Sequence, residues 1–542
     1  ASQHDVESAY RRAVDKGAVI EGEARYASTL QTKGAAPALD VTLTRKQWIS
    51  QLTESGMKPE RARFTVDDGI KSGRLKKISH RVTTVEGIKI ERSILNREAK
   101  GRNQLVPVMT RDEATQRLAG KTLKAEQLKS VIDIVTTKDR FVAAHGYAGT
   151  GKSFMTMSAT EALKACGMNV QALAPYGTQK KSLEEDGMPA RTVASFLKAK
   201  DKKLDEKSVV FIDEAGVIPA RQMDQLMREI EKHGARAVFL GDTSQTKAVE
   251  AGKPFEQLIQ AGMQTSYMKD IQRQKNERLL EAVKLAAEGN TSHALRKIDN
   301  VSEIKDQKQR LEKVADRYMS LSPEQRDNTL IISGTNESRN ILNNSIRDSL
   351  GLIGTGKEFK LLDRLDTTQA ERRDSRYYAE GQIVIPEQDY KNGLKRGEAY
   401  RVIDTGPGNK LTVMGEDGQK IGFSPRTHTR LSVYSEVNTE LASGDSIMIT
   451  RNNKTLDIAN GDRFKVIGVD NGKLSLEGNN GRKLELNERE AAYVSYAYAT
   501  TVAKSQGLTR DRTLYNIDTK SLTTSKDAFY VGISRARYAA EI

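Results

Sequence analysis

Between about residues 121 and 270, short apolar runs alternate with stretches in which apolar and polar residues recur with helical spacing. The apolar runs occupy residues 141–144, 170–174, 209–212 and 237–240. Strands that alternate with helices form parallel sheets with helices on their faces. This stretch therefore predicts an α/β domain built on a parallel sheet.

The same alternation restarts further along the chain. Residues 330–335 open on a strand-like run, and residues 494–499 and 513–516 resume the pattern near the end. In between, β-branched runs are separated by turns such as residues 416–418 and 470–472, which is typical of hairpins in small β-barrels. We predict a second parallel-sheet α/β domain, split by an inserted region that contains a small β-barrel.

The first hundred or so residues are polar. A helical pattern begins at residues 43–48, and residues 81–90 predict a strand, a turn and a second strand. We predict a small, mainly helical domain that resembles a winged-helix module, with residues 97–120 as a linker. Two hypotheses for it remain open: contact with DNA, or packing against the rest of the chain.

A chain of 542 residues is longer than one hydrophobic core usually organises, so several domains are expected. The predicted limits are residues 1–110 for the N-terminal domain, 111–270 for the first α/β domain, 271–354 and 491–542 for the two parts of the second, and 355–490 for the insertion.

Composition narrows the class of function. The chain has 87 Lys and Arg against 72 Asp and Glu, a net charge of +15, which favours a polyanionic partner. The sole cysteine, Cys166, excludes an internal disulfide, and no apolar run approaches the length of a membrane span. We expect a soluble, cytoplasmic protein. Because the sequence begins at Ala1, we expect it to be part of something longer.

The segment Gly-Tyr-Ala-Gly-Thr-Gly-Lys-Ser, residues 146–153, directly follows the first apolar run. This is the spacing of a phosphate-binding loop, whose glycines let backbone N–H groups approach phosphates. Lys152 would reach the β- and γ-phosphates, and Ser153 would place its hydroxyl on Mg²⁺. The predicted nucleotide ligands here are Gly146, Gly149, Thr150, Gly151, Lys152 and Ser153. A similar stretch, residues 351–358, ends in Glu where Mg²⁺ needs a hydroxyl, and is predicted to be a loop.

Two carboxylates, Asp213 and Glu214, follow the third apolar run, as in a Walker B element. Asp213 is predicted to hold Mg²⁺ and Glu214 to orient or deprotonate the attacking water. Gln245 follows the fourth run, which places its amide at the carboxyl edge of the sheet, where it would sense the γ-phosphate. These residues predict nucleoside triphosphate hydrolysis with Mg²⁺.

The order of these motifs resembles that of superfamily 1 helicases of the RecD-like branch, from about residue 121 to the end. The resemblance implies two RecA-like domains with ATP between them. It further implies that Gln127 reads the adenine, and that Arg273 and Arg535 reach the γ-phosphate from the cleft. An arginine supplied by a different domain makes hydrolysis depend on cleft closure.

The resemblance also implies contacts with single-stranded DNA. In the first domain these are Pro175, Tyr176, Thr178, Thr192 and Phe196, and in the second Thr501, Lys504 and Gln506. The family more often has Thr where this chain has Tyr176. Phe196 fits base stacking and core packing equally well. With a grip on each domain, closing and reopening of the cleft would move the protein along the strand.

Within that branch, residues 146–149 and 194–197 look most similar to the helicase half of conjugative relaxases, which nick and unwind a plasmid for transfer. The resemblance implies 5′→3′ movement, action at junctions of single- and double-stranded DNA, conjugation proteins as partners, and a relaxase domain covalently linked in the full-length bacterial protein. The six histidines lack metal-ligand spacing, so no nicking activity is predicted for this chain.

Two other functions remain as alternatives. A helicase-like module without turnover would bind single-stranded DNA or recruit partners. A P-loop kinase for a small molecule would explain the loop and Asp213, but neither the basic charge nor the motifs around Thr501 and Arg535.

Overall fold

The N-terminal part is small and contains both helices and short strands. The computed structural model describes residues 19–21, 25–28, 43–54, 56–72, 75–79, 82–245, 252–365, 367–453, 455–470, 472–478, 481–521 and 523–542. Its first elements are β1 Val19–Glu21, β2 Arg25–Ser28, β3 Leu43–Thr44, α1 Arg45–Glu54, α2 Pro59–Lys71, β4 Leu75–Ser79, β5 Val82–Thr84 and α3 Val85–Lys100. Strand β1 pairs with β5, and β2 lies between β3 and β4. The helix predicted from residue 43 onward is confirmed from Arg45, as α1, whereas Leu43 and Thr44 form β3. The part of the N-terminal prediction that covers residues 1–18 lies outside the described residues.

The hairpin predicted over residues 81–90 is wrong, because only β5 is a strand and α3 starts at Val85. The Thr84 hydroxyl accepts a hydrogen bond from the Gly87 N–H at 2.9 Å, so Thr84 caps the helix and Gly87 lies within its first turn. The predicted linker is wrong as well: α3 continues to Lys100, and a further helix starts at Arg111, capped by Thr110. Buried Ile94 packs α3 onto the domain that follows.

The first α/β domain has the predicted parallel sheet. Its elements are α4 Arg111–Leu118, α5 Ala125–Thr136, β6 Phe141–Gly146, α6 Lys152–Lys164, β7 Asn169–Ala174, α7 Gly177–Glu185, β8 Ala190–Thr192, α8 Val193–Lys198, β9 Ser208–Ile212, α9 Ala220–Lys232, β10 Arg236–Gly241, α10 Pro254–Gln260 and β11 Thr265–Met268. The strand order is β11-β6-β10-β9-β7-β8, and every pair is parallel. All four predicted apolar runs are strands of this sheet.

The second α/β domain starts with helices and returns to a parallel sheet. Its elements before the insertion are α11 Glu277–Ala287, α12 Thr291–Lys297, α13 Gln307–Met319, α14 Pro323–Asp327, β12 Thr329–Ser333 and α15 Asn336–Ser349. After the insertion come β24 Ala499–Thr501, α17 Val502–Ser505, β25 Arg510–Asn516, α18 Lys526–Ser534 and β26 Ala536–Glu541. The strand order is β24-β12-β25-β26, all parallel. The predicted fold class, two parallel-sheet domains, is confirmed, while the domain limits stay a prediction.

The insertion is antiparallel, as predicted, and contains two sheets. Its elements are β13 Lys357–Arg364, β14 Ile383–Pro386, β15 Tyr400–Gly406, β16 Lys410–Met414, β17 Lys420–Phe423, β18 Leu431–Leu441, β19 Ser446–Ile449, β20 Arg463–Asp470, β21 Lys473–Gly478, β22 Lys483–Leu486, α16 Glu488–Ala491 and β23 Val494–Tyr496. One sheet has the order β13-β18-β14-β15-β16-β17, the other β22-β21-β20-β19-β23. The run at residues 494–499 is therefore divided: β23 belongs to the insertion, and β24 to the parallel sheet.

A buried polar network anchors the insertion to the second α/β domain. Arg347 of α15 donates to Asp445 at 3.1 Å and to Glu440 at 2.9 Å. The Tyr498 hydroxyl, between β23 and β24, donates to Asp445 at 2.8 Å. Arg347 and Asp445 are both almost fully buried, and removing one member would leave a buried charge without its partner. The insertion is thus fixed to the domain that carries it. Within the described ranges, no helix is long and apolar enough to span a bilayer.

Candidate nucleotide and DNA sites

The phosphate-binding loop lies between β6 and α6, as predicted. Gly149 and Gly151 have φ of +84° and +78°, the left-handed region that favours glycine. A Cβ at Gly149 would lie 2.5 Å from Cβ of Arg273, and one at Gly151 would lie 2.4 Å from Nε2 of Gln127. Both glycines are therefore required by backbone conformation and by space.

The N-terminus of α6 presents its N–H groups to the loop, which is the arrangement that binds phosphate. Lys152 Nζ donates to the carbonyls of Gly146 at 2.6 Å and Tyr147 at 3.1 Å. Ser153 is exposed in the first turn of the helix. Thr150 is buried, and its hydroxyl donates to the Tyr147 carbonyl at 2.9 Å. The loop thus has a fixed shape, with a lysine and a serine hydroxyl at its open side.

Gln127 of α5 lies behind this loop. Its Oε1 accepts from the Lys124 N–H at 3.0 Å, and its Nε2 donates to the Thr150 carbonyl at 2.9 Å. The side chain of Gln127 is buried. Gln127 therefore holds the loop in place, while its contact with adenine stays a prediction.

The two Walker B carboxylates follow β9, which lies between β7 and β10. The Asp213 N–H donates to the Leu173 carbonyl at 2.8 Å, which extends the ladder to the sheet edge. Burial and the neighbouring Glu214 raise the pKa of Asp213 to about 7, and a cation would restore its ionised form. Glu214 has φ +46°, a strained conformation for a residue with a side chain. Such strain is often found at functional sites.

The segment after β10 is tightly packed. Gln245 is buried, and its Nε2 donates to Asp242 Oδ2 at 3.1 Å. Its Oε1 has no hydrogen-bond partner among the described residues. His145 Nε2 accepts from the Thr243 N–H at 3.2 Å, and burial lowers the pKa of His145. The imidazole therefore packs beneath the loop.

Two arginines meet beside the phosphate-binding loop. Arg273 follows the first sheet, and its Nη1 donates to the Ser534 carbonyl at 3.0 Å. Arg535, just after α18, is only 2% exposed, and its Nη2 donates to the Ser534 hydroxyl at 3.0 Å. Burial, with Arg535 nearby, lowers the pKa of Arg273 to about 9, and burial lowers that of Arg535. Among the described residues, neither guanidinium is within ion-pair distance of a carboxylate. Beyond that distance, the charges of Glu214 and Asp242 still favour the charged form of Arg535. The site therefore holds two arginines without a direct ion-pair partner in the part of the chain that the structure describes.

The residues predicted to bind DNA have varied surroundings. Tyr176 is 54% exposed at the end of β7, next to half-buried Pro175. Thr192 caps α8 by accepting from the Ser195 N–H at 3.2 Å. In the second domain, Thr501 and Gln506 flank α17 and are half-buried, and Lys504 is exposed. The end of β7 and α17 both provide polar groups at a sheet edge.

The stacking role predicted for Phe196 is wrong in this conformation. Its ring is fully buried in the core of the first domain. Arg191 and Lys202 lie over the ring, 5.6 and 5.4 Å from its centroid. A base cannot reach a ring enclosed in this way, so Phe196 is a packing residue.

Thr178 and Lys181 of α7 face the insertion. Lys181 Nζ lies 3.2 Å from Asp462 Oδ2, and a Cβ at Gly461 would lie 3.0 Å from Cγ2 of Thr178. A cavity of about 280 Å³ lies at this junction. It is lined by Thr178, Lys181, Ser182, Glu185, Asp462, Arg463, Phe464, Gly478 and Arg482. Sequence reasoning missed this contact, because Asp462 lies in an ordinary turn.

Comparison with known proteins supports the resemblance drawn from the motifs. A family model described as an AAA domain matches residues 122–309. The conjugal transfer protein TraA of Agrobacterium fabrum is 28% identical over 302 residues, 54% of this chain and 26% of TraA. The multifunctional conjugation protein TraI of Escherichia coli K12 is 23% identical over 522 residues, 83% of this chain and 29% of TraI. The ATP-dependent RecD2 DNA helicase of Deinococcus radiodurans is 31% identical over 158 residues, 28% of this chain and 22% of RecD2.

These matches define a class first: the chain resembles the RecD-like superfamily 1 helicases. Its longer matches among these three then point within that class to the conjugation proteins TraA and TraI. The chain spans less than a third of the length of each relative.

Proposed function

We propose that this chain is an ATP-dependent DNA helicase module that moves 5′→3′ along single-stranded DNA. The observation that carries the proposal is the pair of half-buried Arg273 and buried Arg535, which lie beside the phosphate-binding loop and form no ion pair among the described residues. A buried charge is costly unless it is paired. The γ-phosphate of ATP would supply the missing negative charge.

The two arginines would make hydrolysis depend on the second domain. Arg535 follows α18 of that domain, whereas the loop belongs to the first. Phosphoryl transfer is catalysed mainly by positioning and by charge stabilisation, so a cation that arrives only on closure switches the reaction on. Glu214 would orient or deprotonate the attacking water. Gln245, whose Oε1 has no hydrogen-bond partner among the described residues, would sense the γ-phosphate through a water that donates to this oxygen.

The donor set suits Mg²⁺. Ser153 would provide a hydroxyl and Asp213 a carboxylate, and a bound cation would favour the ionised form of Asp213 against the burial that raises its pKa. When bound, Mg²⁺ would neutralise charge on the β- and γ-phosphates. Lys152 would bind these phosphates directly.

Movement would come from two grips on the strand. The end of β7, with Tyr176, belongs to one domain, and α17, with Lys504, belongs to the other. The net charge of +15 favours a phosphate backbone as the ligand. Similarity to TraA and TraI supports a role in plasmid transfer, in the bacterial cytoplasm, together with a linked relaxase domain and other conjugation proteins.

The test is steady-state ATP hydrolysis with and without a single-stranded oligonucleotide. We expect stimulation of about tenfold or more, lost in Lys152→Ala. Lys164→Ala is the matched control, because Lys164 is an exposed lysine at the opposite end of α6, about 18 Å away by helix rise. Duplexes with a 5′ or a 3′ tail then test the direction, and only the 5′-tailed substrate should be unwound.

Two outcomes would contradict the proposal in different ways. Tight oligonucleotide binding without hydrolysis would favour a silent DNA-binding module. Hydrolysis that DNA does not change would favour a P-loop enzyme for a small molecule.

A further inference from the structure

The Tyr530 hydroxyl links the two α/β domains at the nucleotide site. Tyr530 is on α18 of the second domain, and its side chain is fully buried. The hydroxyl donates to Asp242 Oδ2 at 2.9 Å and accepts from the Ala148 N–H at 2.7 Å. Both partners belong to the first domain, and Ala148 is within the phosphate-binding loop. One hydroxyl therefore joins α18 to two separate parts of the ATP site.

Asp242 connects this hydroxyl to Gln245. Its Oδ2 accepts from both Tyr530 and the Gln245 amide, and its Oδ1 accepts from the Ser244 N–H at 2.9 Å. Because Asp242 is 3% exposed and Gln245 is 4% exposed, solvent is not available to replace a lost partner. The position of the Gln245 amide is thus set by the same carboxylate that accepts the hydrogen bond of the Tyr530 hydroxyl.

Ala148 connects the hydroxyl to the loop. The next residue, Gly149, accepts from the Gln272 N–H at 2.8 Å, so two consecutive loop residues are held from outside the loop. When α18 moves away with its domain, the Ala148 N–H and the Asp242 carboxylate lose the same partner together. When the cleft closes, both regain it.

Packing alone does not require the hydroxyl. The Tyr530 ring packs in the apolar core of the second domain, 6.5 Å from the Tyr147 ring, and phenylalanine would fill that space. Burial and the neighbouring Asp242 raise the pKa of Tyr530 well above its ordinary value, so the phenol stays protonated and remains a donor. A change of Tyr530 to phenylalanine would therefore remove the hydrogen bonds of the hydroxyl and keep the packing of the ring.

We propose that Tyr530 is a positioning residue whose hydroxyl transmits cleft closure to the phosphate-binding loop and, through Asp242, to Gln245. This inference rests on the proposed function. Tyr530 acts through these groups and does not itself contact the nucleotide.

The test compares Tyr530→Phe with Tyr515→Phe. Tyr515 is also buried, and its hydroxyl donates to the Ala528 carbonyl of the same helix at 3.2 Å, away from the loop. In Tyr530→Phe we expect the DNA-stimulated kcat to fall by about 10- to 100-fold, with KM for ATP within about threefold of the original chain. In Tyr515→Phe, kcat should stay within about twofold of that of the original chain. The thermal midpoint should shift by an amount similar to the shift in Tyr530→Phe.

A second pair of variants tests the route through Asp242. Asp242→Asn keeps the shape of the acceptor but weakens it, and should lower kcat to a similar extent. Since either single variant disrupts the Tyr530–Asp242 hydrogen bond, the double variant should be slower by clearly less than the product of the two single effects. Asp242→Asn alone answers the question if Tyr530→Phe folds poorly.

Equal kcat in Tyr530→Phe and the original chain, or independent, multiplying effects in the double variant, would overturn the inference. Absence of DNA stimulation in the original chain would instead contradict the proposed function, so the two failures are distinct.

Discussion

Lys181 on α7 forms an ion pair with Asp462 of the inserted region, with Nζ and Oδ2 3.2 Å apart. Asp462 Oδ2 also accepts from the Ala459 N–H at 3.0 Å, which fixes the turn that presents the carboxylate. The pair joins the first α/β domain to a part of the second, across a cavity next to Thr178. It therefore lies where the two domains must separate if the cleft opens.

We predict a coupling free energy of about 0.5–1 kcal/mol for this pair, because both side chains are largely shielded from solvent. A double-mutant cycle of Lys181→Ala and Asp462→Ala in urea unfolding measures it. The exposed Lys180–Glu184 pair on the same helix is the control, and its coupling should be about 0.3 kcal/mol. The prediction is wrong if both pairs couple equally.

Replacement of Arg535 by Met should separate stability from activity. The arginine is buried and forms no direct ion pair among the described residues, so removal of its charge should leave the nucleotide-free protein as stable or more stable. Hydrolysis should fall by about 10³-fold. Thermal unfolding with and without a non-hydrolysable ATP analogue checks both, since the ligand-induced rise in midpoint should shrink. A clear loss of stability without nucleotide would show that Arg535 has a structural role.

The strained backbone of Glu214 predicts that a substitution there can raise stability while it lowers ATP hydrolysis. Glycine tolerates φ +46°, so Glu214→Gly should raise the free energy of unfolding by about 1 kcal/mol. Hydrolysis should fall by about 10²- to 10⁴-fold with loss of the carboxylate. Glu214→Gln is the control: it should lose activity to a similar degree without the gain in stability. Chemical denaturation of the original chain, Glu214→Gly and Glu214→Gln measures the stabilities, and steady-state ATP hydrolysis measures the activities.

Phe196 should contribute to the stability of the fold, and Tyr176 to the binding of DNA. Phe196→Ala should lower the free energy of unfolding by about 3–5 kcal/mol, whereas Phe196→Leu should fold and bind an oligonucleotide as the original chain does. Tyr176→Ala should leave stability nearly unchanged and weaken binding by about 1–3 kcal/mol, if its exposed ring stacks on a base. Fluorescence anisotropy measures the affinities. Weaker binding in folded Phe196→Leu would restore a DNA contact for that residue.

The sequence predicts most strands of the two parallel sheets, because each contains a run of apolar or β-branched residues: β6, β7, β9, β10, β12 and β25. It does not predict β8, β11 and β26, whose sequences ART, TSYM and ARYAAE have no comparable run. The failure at residues 81–90 has a physical cause. Four β-branched residues before Glu-Gly favour a hairpin, yet Thr84 is a helix cap and Glu86 suits the positive end of the helix dipole. The run at residues 494–499 was taken as one strand, although Ala497 and Tyr498 separate strands of two different sheets.

In the candidate site, too, features encoded by local sequence could be predicted, and contacts between distant residues could not. Lys152, Ser153 and Asp213 are adjacent to recognisable strands, so local spacing predicts where they lie in the fold, while their roles stay predictions. The link from Tyr530 to Asp242 joins residues 288 positions apart, and no local pattern encodes it. Phe196 shows the converse limit, since an aromatic residue in a helix has the same sequence signal whether it is buried or exposed.

The anchoring of the insertion has a further consequence. Because Arg347, Asp445 and Tyr498 fix the insertion to the second α/β domain, the separation of β20 from α7 reports the angle between the two ATP-site domains. The sequence has one cysteine, so a Cys166→Ser background would accept two fluorophores, at Glu184→Cys on α7 and Lys465→Cys on β20, both exposed. Energy transfer between the two fluorophores would therefore follow each closure of the cleft in real time, from labels that are remote from the nucleotide.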